Sequence, residues 1–201
     1  DVLVETSRYW VSRVSYHPKK DVYMILGVTG PNEYENNVNN NWYTNIMAKW
    51  SLEYTVKSLK LMKEQYSENY EKAQKRLGFS ENEVNSFEIA AHKMYLPECK
   101  ELGIFLQQDG YLDKEQILVS QLPIEELPLN KHWSWDRILR SCFIKQADVL
   151  QGLWFLNDLY TKEEKKRNFD FYEPRTVHES SLSPCVYSII ASETGREDKA
   201  Y

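Results

Sequence analysis

The sequence predicts an all-α fold, built from helical hairpins that stand side by side and are joined by long loops. Apolar residues recur at helical spacing along most of the 201 residues. Polar stretches rich in Gly, Pro and Asn separate the candidate helices. Hydrophobic residues make up 42% of the chain, which is enough for the core of one ordinary domain. Binding and catalytic residues concentrate on loops held by a rigid scaffold, so we expect the function to lie in the loops at one end.

The first half of the chain contains a short helix, a break and a long helix. The pattern from Leu3 to Val14 is amphipathic, and the Pro-containing segment 17–21 ends it. Residues 22–28 are apolar and partly β-branched, which fits either a buried strand or an extended segment that leads into a turn. A second helical pattern then runs from about Asn41 to Tyr66.

The second half mixes helices with irregular chain. Ser80 followed by Glu83 is a capping-box signature, and we expect that helix to reach about Tyr95. Residues 103–133 show no clear period, and a connection of that length is often functional. Helical patterns then cover 138–143, 147–159 and 161–168, and a last helix begins with Ser183 as N-cap and Pro184 and continues into the tail.

Composition disfavours several classes of protein. The net charge is −5 and no long basic stretch is present, so we expect no nucleic-acid partner. The three cysteines are far apart and lack CxxC spacing, which argues against a disulfide framework and a zinc site. The chain has no apolar run of membrane-spanning length and no glycosylation sequon, so we expect a cytoplasmic protein without a membrane partner. Amphipathic patterns at both ends indicate a piece of a longer protein.

The turn-prone segment Gly30-Pro31-Asn32-Glu33-Tyr34 offers a single carboxylate, Glu33, between a rigid turn and an aromatic ring. That arrangement suits a lone proton donor, and the alternative is an ordinary turn residue. The asparagines and aromatic residues that follow, up to Asn45, match the hydroxyl edges and CH faces of a sugar. They equally match a turn and a helix N-terminus, where Asn bonds locally to the backbone, and composition favours this second interpretation.

Two further segments carry candidate binding groups. Lys145 could hold hydroxyls or an anion and Gln146 could both donate and accept, although an exposed helix face is the alternative for this helical context. Residues 176–184 gather hydroxyls and His178 at the start of a helix, where outward amides and the helix dipole favour anions. Simple capping by Ser183 would explain the second segment as well.

Together these segments resemble the phosphorylases of glycoside hydrolase family 65. Any one of the matching stretches would be weak evidence, but all of them occur in the family's order. The stretches are GPNEY at 30–34 with NNWYTN at 40–45, HWSWD at 132–136, KQADVLQG at 145–152, and YEP at 172–174 with TVHESSLSP at 176–184.

The resemblance implies about half of an (α/α)6 barrel, with residues 1–201 as part of the catalytic domain and without the family's flanking domains. It implies phosphorolysis of an α-linked glucose disaccharide with inversion. Maltose is the expected substrate, and trehalose, kojibiose and nigerose are the alternatives. Inorganic phosphate would be the co-substrate, with no cofactor and no metal. We expect a homodimer for the full-length protein, and an inactive, self-associating chain when these residues stand alone.

Carried over position by position, the resemblance makes Glu33 the general acid and assigns Lys145 and Gln146 to the transferred glucosyl unit. His178, Ser180 and Ser181 would bind phosphate; Asn32 stands where many members have Asp, which leaves the acid in place. Glu33 has to stay protonated near neutral pH, and we expect burial against rings such as Tyr34 to achieve this. The remaining alternative is a non-catalytic helical binding module. In the catalytic case Glu33, Lys145 and His178 should converge.

Overall fold

Helices account for more than half of the chain, which confirms the predicted all-α class. The computed structural model describes all 201 residues and contains ten α-helices, five short 3-10 turns and two small antiparallel hairpins. The residues form two compact units: Asp1–Leu26 with Thr44–Tyr95, called the helical unit below, and Gly27–Tyr43 with Leu96–Tyr201, called the loop unit.

The helical unit is made of long helices and one hairpin. Its elements, in chain order, are α1 (Val2–Arg13), β1 (Ser15–His17), β2 (Val22–Met24), α2 (Trp42–Gln65, in this unit from Thr44), α3 (Ser67–Leu77) and α4 (Glu81–His92). The predicted break at 17–21 is the turn of the hairpin, in which Ser15 pairs with Met24. Only Val22–Met24 of the apolar run 22–28 is a strand.

Helix α3 was not predicted, because Tyr70 is its one buried residue and the remaining side chains give little apolar period. The predicted N-cap of α4 is confirmed, since Ser80 Oγ accepts from the Glu83 backbone amide at 3.2 Å. The second half of the capping box is absent: the Glu83 carboxylate binds the Arg8 guanidinium at 2.6 and 3.0 Å. That contact joins α4 to α1.

The loop unit has helices of 4 to 12 residues, several of them separated by long connections. Its elements are β3 (Glu98–Cys99), β4 (Ile104–Phe105), α5 (Leu129–His132), α6 (Trp135–Arg140), α7 (Val149–Phe155), α8 (Lys162–Tyr172), α9 (Ser183–Thr194) and α10 (Glu197–Ala200). A buried cluster supports the turn that carries Glu33 and consists of Tyr34, Leu129, Trp133, Ile138 and Phe143.

Several predicted boundaries in this unit are wrong for identifiable reasons. The helix predicted over 138–143 ends at Arg140, because the Ile144 amide binds the Arg175 carbonyl at 3.0 Å and the Ile144 carbonyl accepts from Val177 at 2.9 Å. Those bonds require extended backbone. The final helix does not run unbroken into the tail, since Gly195 takes the left-handed conformation (φ 77°) and ends α9.

Candidate active site

The turn Gly30–Tyr34 alternates buried and exposed side chains, with Glu33 on its exposed crest. Asn32 and Tyr34 are 0% and 2% exposed, respectively. The Asn32 side-chain oxygen accepts from the Tyr34 amide at 3.1 Å, which is the local bond that makes Asn favourable in turns. Glu33 therefore projects away from the core while both of its neighbours are fixed in it.

Glu33 forms an ion pair with Lys145, with 2.6 Å between Oε2 and Nζ. The Glu33 side chain is 57% exposed and that of Lys145 is 25% exposed. The expectation that Glu33 is buried against Tyr34 is wrong: the Tyr34 ring lies in the core, and its hydroxyl donates to the Glu179 carboxylate. The ring therefore fixes the turn and does not cover the acid.

Lys145 and Gln146 lie in an irregular segment before α7, so the predicted helical context is wrong. The Lys145 amide donates to Asn32 Oδ1 at 2.9 Å, and Gln146 Nε2 donates to the Pro31 carbonyl at 2.8 Å. The first of these bonds engages the Lys145 backbone amide, which a helix would need for its own hydrogen bonding. Gln146 Oε1 is buried and has no hydrogen-bond partner in the chain.

Asp148 is a buried carboxylate directly below this turn, and the sequence offered no argument for its role. It accepts from the Asn32 amide at 3.1 Å and from Asn41 Nδ2 at 3.0 and 3.1 Å. Burial raises the pKa of Asp148 to about 7, although its hydrogen bonds from Asn32 and Asn41 act in the opposite direction. The signal that the sequence contained for Asp148 was its place between two apolar residues, Ala147 and Val149, both of which are buried.

His178 lies at the start of the segment predicted to bind phosphate, in the left-handed backbone region (φ 53°). Its Nδ1 is 2.8 Å from Ser183 Oγ, and its ring packs edge-on against Tyr187 at 4.7 Å between centroids. Removal from water lowers the pKa of His178, which favours the neutral imidazole. The predicted N-cap role of Ser183 is wrong: Leu182 is the N-cap, and Ser183 is the first helical residue with its hydroxyl on His178.

Ser180 and Ser181 follow in the same loop. Ser180 is half-buried, and its hydroxyl accepts from the Leu182 amide at 3.3 Å. Ser181 is exposed. The preceding residue, Glu179, accepts from the Tyr34 hydroxyl and from the Leu129 amide, the latter at 2.6 Å. The loop is thus tied to the residue next to Glu33.

The structure brings the three predicted segments together within the loop unit. Glu33 touches Lys145 directly. The backbone bonds between Ile144 and Val177 place the residues before Lys145 and His178 side by side. Together with the Tyr34–Glu179 bond, these contacts make the three segments neighbours, while the His178 ring itself contacts Ser183 and Tyr187.

Most of the asparagine cluster does not match the sugar-binding hypothesis. Asn32, Asn40, Asn41 and Asn45 are at most 1% exposed, so most of the cluster supports the backbone. The exposed members are Asn36, Asn37 and Asn39.

No group of three or more His, Cys, Asp or Glu side chains has the arrangement of a metal site. None of the helices combines the length and the apolar composition that a membrane-spanning segment requires.

Comparison with known proteins identifies the family. Residues 1–201 match the glycosyl hydrolase family 65 central catalytic domain. The chain is 55% identical, over its whole length, to the maltose phosphorylase of Bacillus subtilis (strain 168) and covers 26% of that protein. It is 43% identical, also over its whole length, to the alpha,alpha-trehalose phosphorylase of Thermoanaerobacter brockii, again covering 26% of that relative.

A solved structure assigned as a kojibiose phosphorylase from the human microbiome superposes with a TM-score of 0.89 at 38% identity. The match covers 98% of this chain and 27% of that protein. The chain thus spans about a quarter of the length of its relatives, and the structural match confirms the predicted partial helical barrel. The chain belongs to glycosyl hydrolase family 65, as part of its central catalytic domain.

Proposed function

We propose that these residues form part of a disaccharide phosphorylase that cleaves maltose with inorganic phosphate, giving glucose and β-glucose 1-phosphate. The observation that carries the proposal is the contact of one exposed carboxylate, Glu33, with Lys145 beside the His178 loop. The 55% identity to a maltose phosphorylase supports the choice of maltose.

The carboxylates of this unit favour phosphorolysis over hydrolysis. An inverting glycosidase needs one carboxyl group as acid and a second as base to activate water. The other carboxylates linked to this turn are occupied: Glu35 is 4% exposed and ion-paired with Lys114, Asp148 is buried under Asn32, and Glu179 holds Tyr34. Phosphate already carries a nucleophilic oxygen, so one acid is sufficient.

In the proposed reaction Glu33 donates its proton to the glycosidic oxygen as the bond from that oxygen to the anomeric carbon breaks. A phosphate oxygen attacks the same carbon from the opposite face and forms the new bond with inversion. His178, Ser180 and Ser181 would hold the phosphate, while Lys145 and Gln146 would hold the glucosyl unit. Fixing the two reactants in line contributes through proximity and orientation.

The Glu33–Lys145 ion pair has a consequence for this cycle. Glu33 Oε2 and Lys145 Nζ are 2.6 Å apart, so each side chain occupies a hydrogen-bonding group of the other. Sugar hydroxyls that accept hydrogen bonds from Lys145 would separate the pair and free Glu33 to face the glycosidic oxygen. Substrate binding would thereby release the acid from its partner.

The remaining properties of the complete protein belong to the same proposal. It would use no cofactor, act in the cytoplasm and form a homodimer. The 201 residues alone would be inactive, because they cover only 26% of the related phosphorylases.

The test measures glucose release from maltose by the complete protein with and without phosphate. Release that requires phosphate, with β-glucose 1-phosphate as the product, supports the proposal; release without phosphate overturns it. Glu33→Gln should lower kcat about 1,000-fold, the range expected for loss of general acid catalysis. Glu125→Gln, at another exposed carboxylate of the loop unit, is the matched control and should leave kcat unchanged.

A second candidate substrate is trehalose or kojibiose, which the relatives at 43% and 37% identity favour. A panel of maltose, trehalose, kojibiose and nigerose separates these possibilities. The substrate with the largest phosphate-dependent kcat/KM identifies the activity, and a value for maltose below the others would contradict the choice of maltose.

A further inference from the structure

We propose that Asp148 is a positioning residue that fixes Glu33 in place by holding the Gly30–Tyr34 turn from below. This inference rests on the proposed function, because it assumes that Glu33 is the proton donor. It gives a role to a buried carboxylate that touches neither the sugar nor the phosphate in the reaction proposed above.

The side-chain hydrogen bonds of Asp148 go to the turn and to the chain that follows it. Oδ2 accepts from the Asn32 amide at 3.1 Å, and both oxygens accept from the Asn41 side-chain amide at 3.0 and 3.1 Å. Asp148 is 2% exposed, so no water competes for these donors. A charged or polar acceptor in such surroundings is worth more than the same acceptor at a surface.

Asn32 passes this restraint to the two residues that form the ion pair. Its backbone amide is held by Asp148, and its side-chain oxygen accepts from the amides of Tyr34 and Lys145 at 3.1 and 2.9 Å. The residue before Glu33, the residue after it and the backbone of its partner are therefore fixed by one short network. Gln146 adds a bond to the Pro31 carbonyl at 2.8 Å.

Gly30 shows how closely the turn approaches this carboxylate. A Cβ atom at Gly30 would lie 2.5 Å from Asp148 Oδ2 and 2.3 Å from Asn41 Nδ2. Real Cβ atoms do not come so close, so only glycine permits the approach. Glu33 is the exposed end of an arrangement that is held mainly by the hydrogen bonds of Asn32, Asn41 and Asp148.

The charge state of Asp148 is consistent with this role. Burial raises its pKa, and the nearby charge of Glu35 acts in the same direction. The other titratable groups influenced by Asp148 are the hydroxyls of Tyr43, Tyr172 and Tyr187, which stay neutral near pH 7. No cation neutralises Asp148, so the network depends on donated hydrogen bonds.

The experiment uses Asp148→Asn in the complete protein. This change preserves size but turns one acceptor into a donor that faces Asn41 or the Asn32 amide. Two donors are compared with phosphate as acceptor: maltose, whose leaving sugar needs a proton, and α-glucosyl fluoride, whose fluoride leaves without one. A displaced acid should lower kcat for maltose about 100-fold and kcat for the fluoride less than about 5-fold, with KM for phosphate nearly unchanged.

The matched control is Glu35→Gln, which alters another buried carboxylate of the same unit; that side chain binds Lys114, and only the backbone amide of Glu35 binds Asn32. It should leave the ratio of the two kcat values at the wild-type level. If Asp148→Asn does not fold, Asn32→Ser provides the same comparison, because it removes the amide side chain that receives the Tyr34 and Lys145 bonds.

Equal losses on both donors, or an unchanged kcat for maltose in a folded variant, would overturn the positioning role. A wild-type protein without phosphate-dependent turnover would instead refute the proposed function. The two failures are therefore distinguishable.

Discussion

Different kinds of interaction stabilise the interior of the helical unit and that of the loop unit. In the helical unit, many polar contacts, such as Lys60–Glu88 and Lys63–Glu81, are exposed ion pairs on regular helices, and the interior is mainly apolar, with a few buried polar contacts such as Ser7–Thr55. In the loop unit, the polar contacts that shape the site are buried, as at Asn32 and Asp148. Exposed pairs contribute little to stability, whereas a buried polar group is costly unless it is fully bonded. The candidate site therefore lies where structure depends on particular bonds, and changes in the two units should have different consequences.

The largest predicted effect is an opposite pH dependence of stability in the two units. The Asp148 carboxyl keeps its proton in the folded state up to about pH 7, whereas an unfolded chain releases it near 3.8. Between these values the folded state binds more protons, so the free energy of unfolding falls as pH rises. Relative to Asp148→Asn, the wild-type protein should lose about 3 kcal/mol between pH 4 and pH 7.

Glu83 in the helical unit gives the opposite sign, because its hydrogen bonds with Arg8 lower its pKa. Its contribution is present above the unfolded-state pKa and is lost as pH falls through the folded-state value. Urea unfolding of the wild type, Asp148→Asn and Glu83→Gln from pH 3 to pH 8 measures both slopes. If the free energies of unfolding of the two variants differed from wild type with the same dependence on pH, the distinction between the units would be lost.

The next largest effect is expected at glycine positions. Gly30→Ala places a Cβ atom against Asn41 and Asp148, and should cost about 3 kcal/mol and nearly all activity. Gly78→Ala in the helical unit is the control: Gly78 has φ 65°, but a Cβ there meets nothing within 4 Å. Only backbone strain of about 1 kcal/mol is expected, with activity retained. Thermal unfolding and kcat check both variants, and similar losses would show that packing around Gly30 is not special.

The sequence predicted the helical unit better than the loop unit, and the reason is physical. A helix with one buried face shows its period in the sequence, so the pattern from Asn41 to Tyr66 gave the observed α2, Trp42–Gln65, within a residue at each end. A helix with a single buried residue, such as α3, shows no such period. In these elements local pattern and local structure correspond directly.

The site depends on bonds between distant parts of the chain, which periodicity does not reveal. The Asn32–Asp148 bond joins residues 116 positions apart, and the Lys145 amide donates to the Asn32 side chain instead of to a carbonyl of a helix. The family motifs still gave Glu33, Lys145 and His178 as candidates, and they lie in neighbouring segments. The exposure of Glu33 and the burial of Asp148 beneath Asn32 could be learned only from the fold.

An intermediate effect is expected at the bond between the Gly30–Tyr34 turn and the loop that follows His178. Tyr34→Phe removes the hydroxyl that donates to Glu179, which should cost about 2 kcal/mol because the acceptor is charged. The loosened loop should raise KM for phosphate several-fold and change kcat at saturating phosphate by less. Tyr54→Phe, at a 46% exposed tyrosine of the helical unit, is the control and should change neither constant. A kcat loss with unchanged KM would show that Tyr34 serves the acid and not the loop.

The smallest effects concern helix caps, which both units contain. Ser80 caps α4 through one bond, whereas Thr161 and Glu164 form a complete capping box on α8, with bonds of 3.2 Å to the Glu164 amide and 2.8 Å to the Thr161 amide. Ser80→Ala and Thr161→Ala should each cost about 1 kcal/mol, and neither should alter kcat. Amide hydrogen exchange in the first turns of the two helices measures the local free energies. Equal losses of local free energy would mean that the units differ in their non-local bonds and not in how their helices start. A much larger loss for Thr161→Ala would show that helix ends in the loop unit are themselves part of the network around the site.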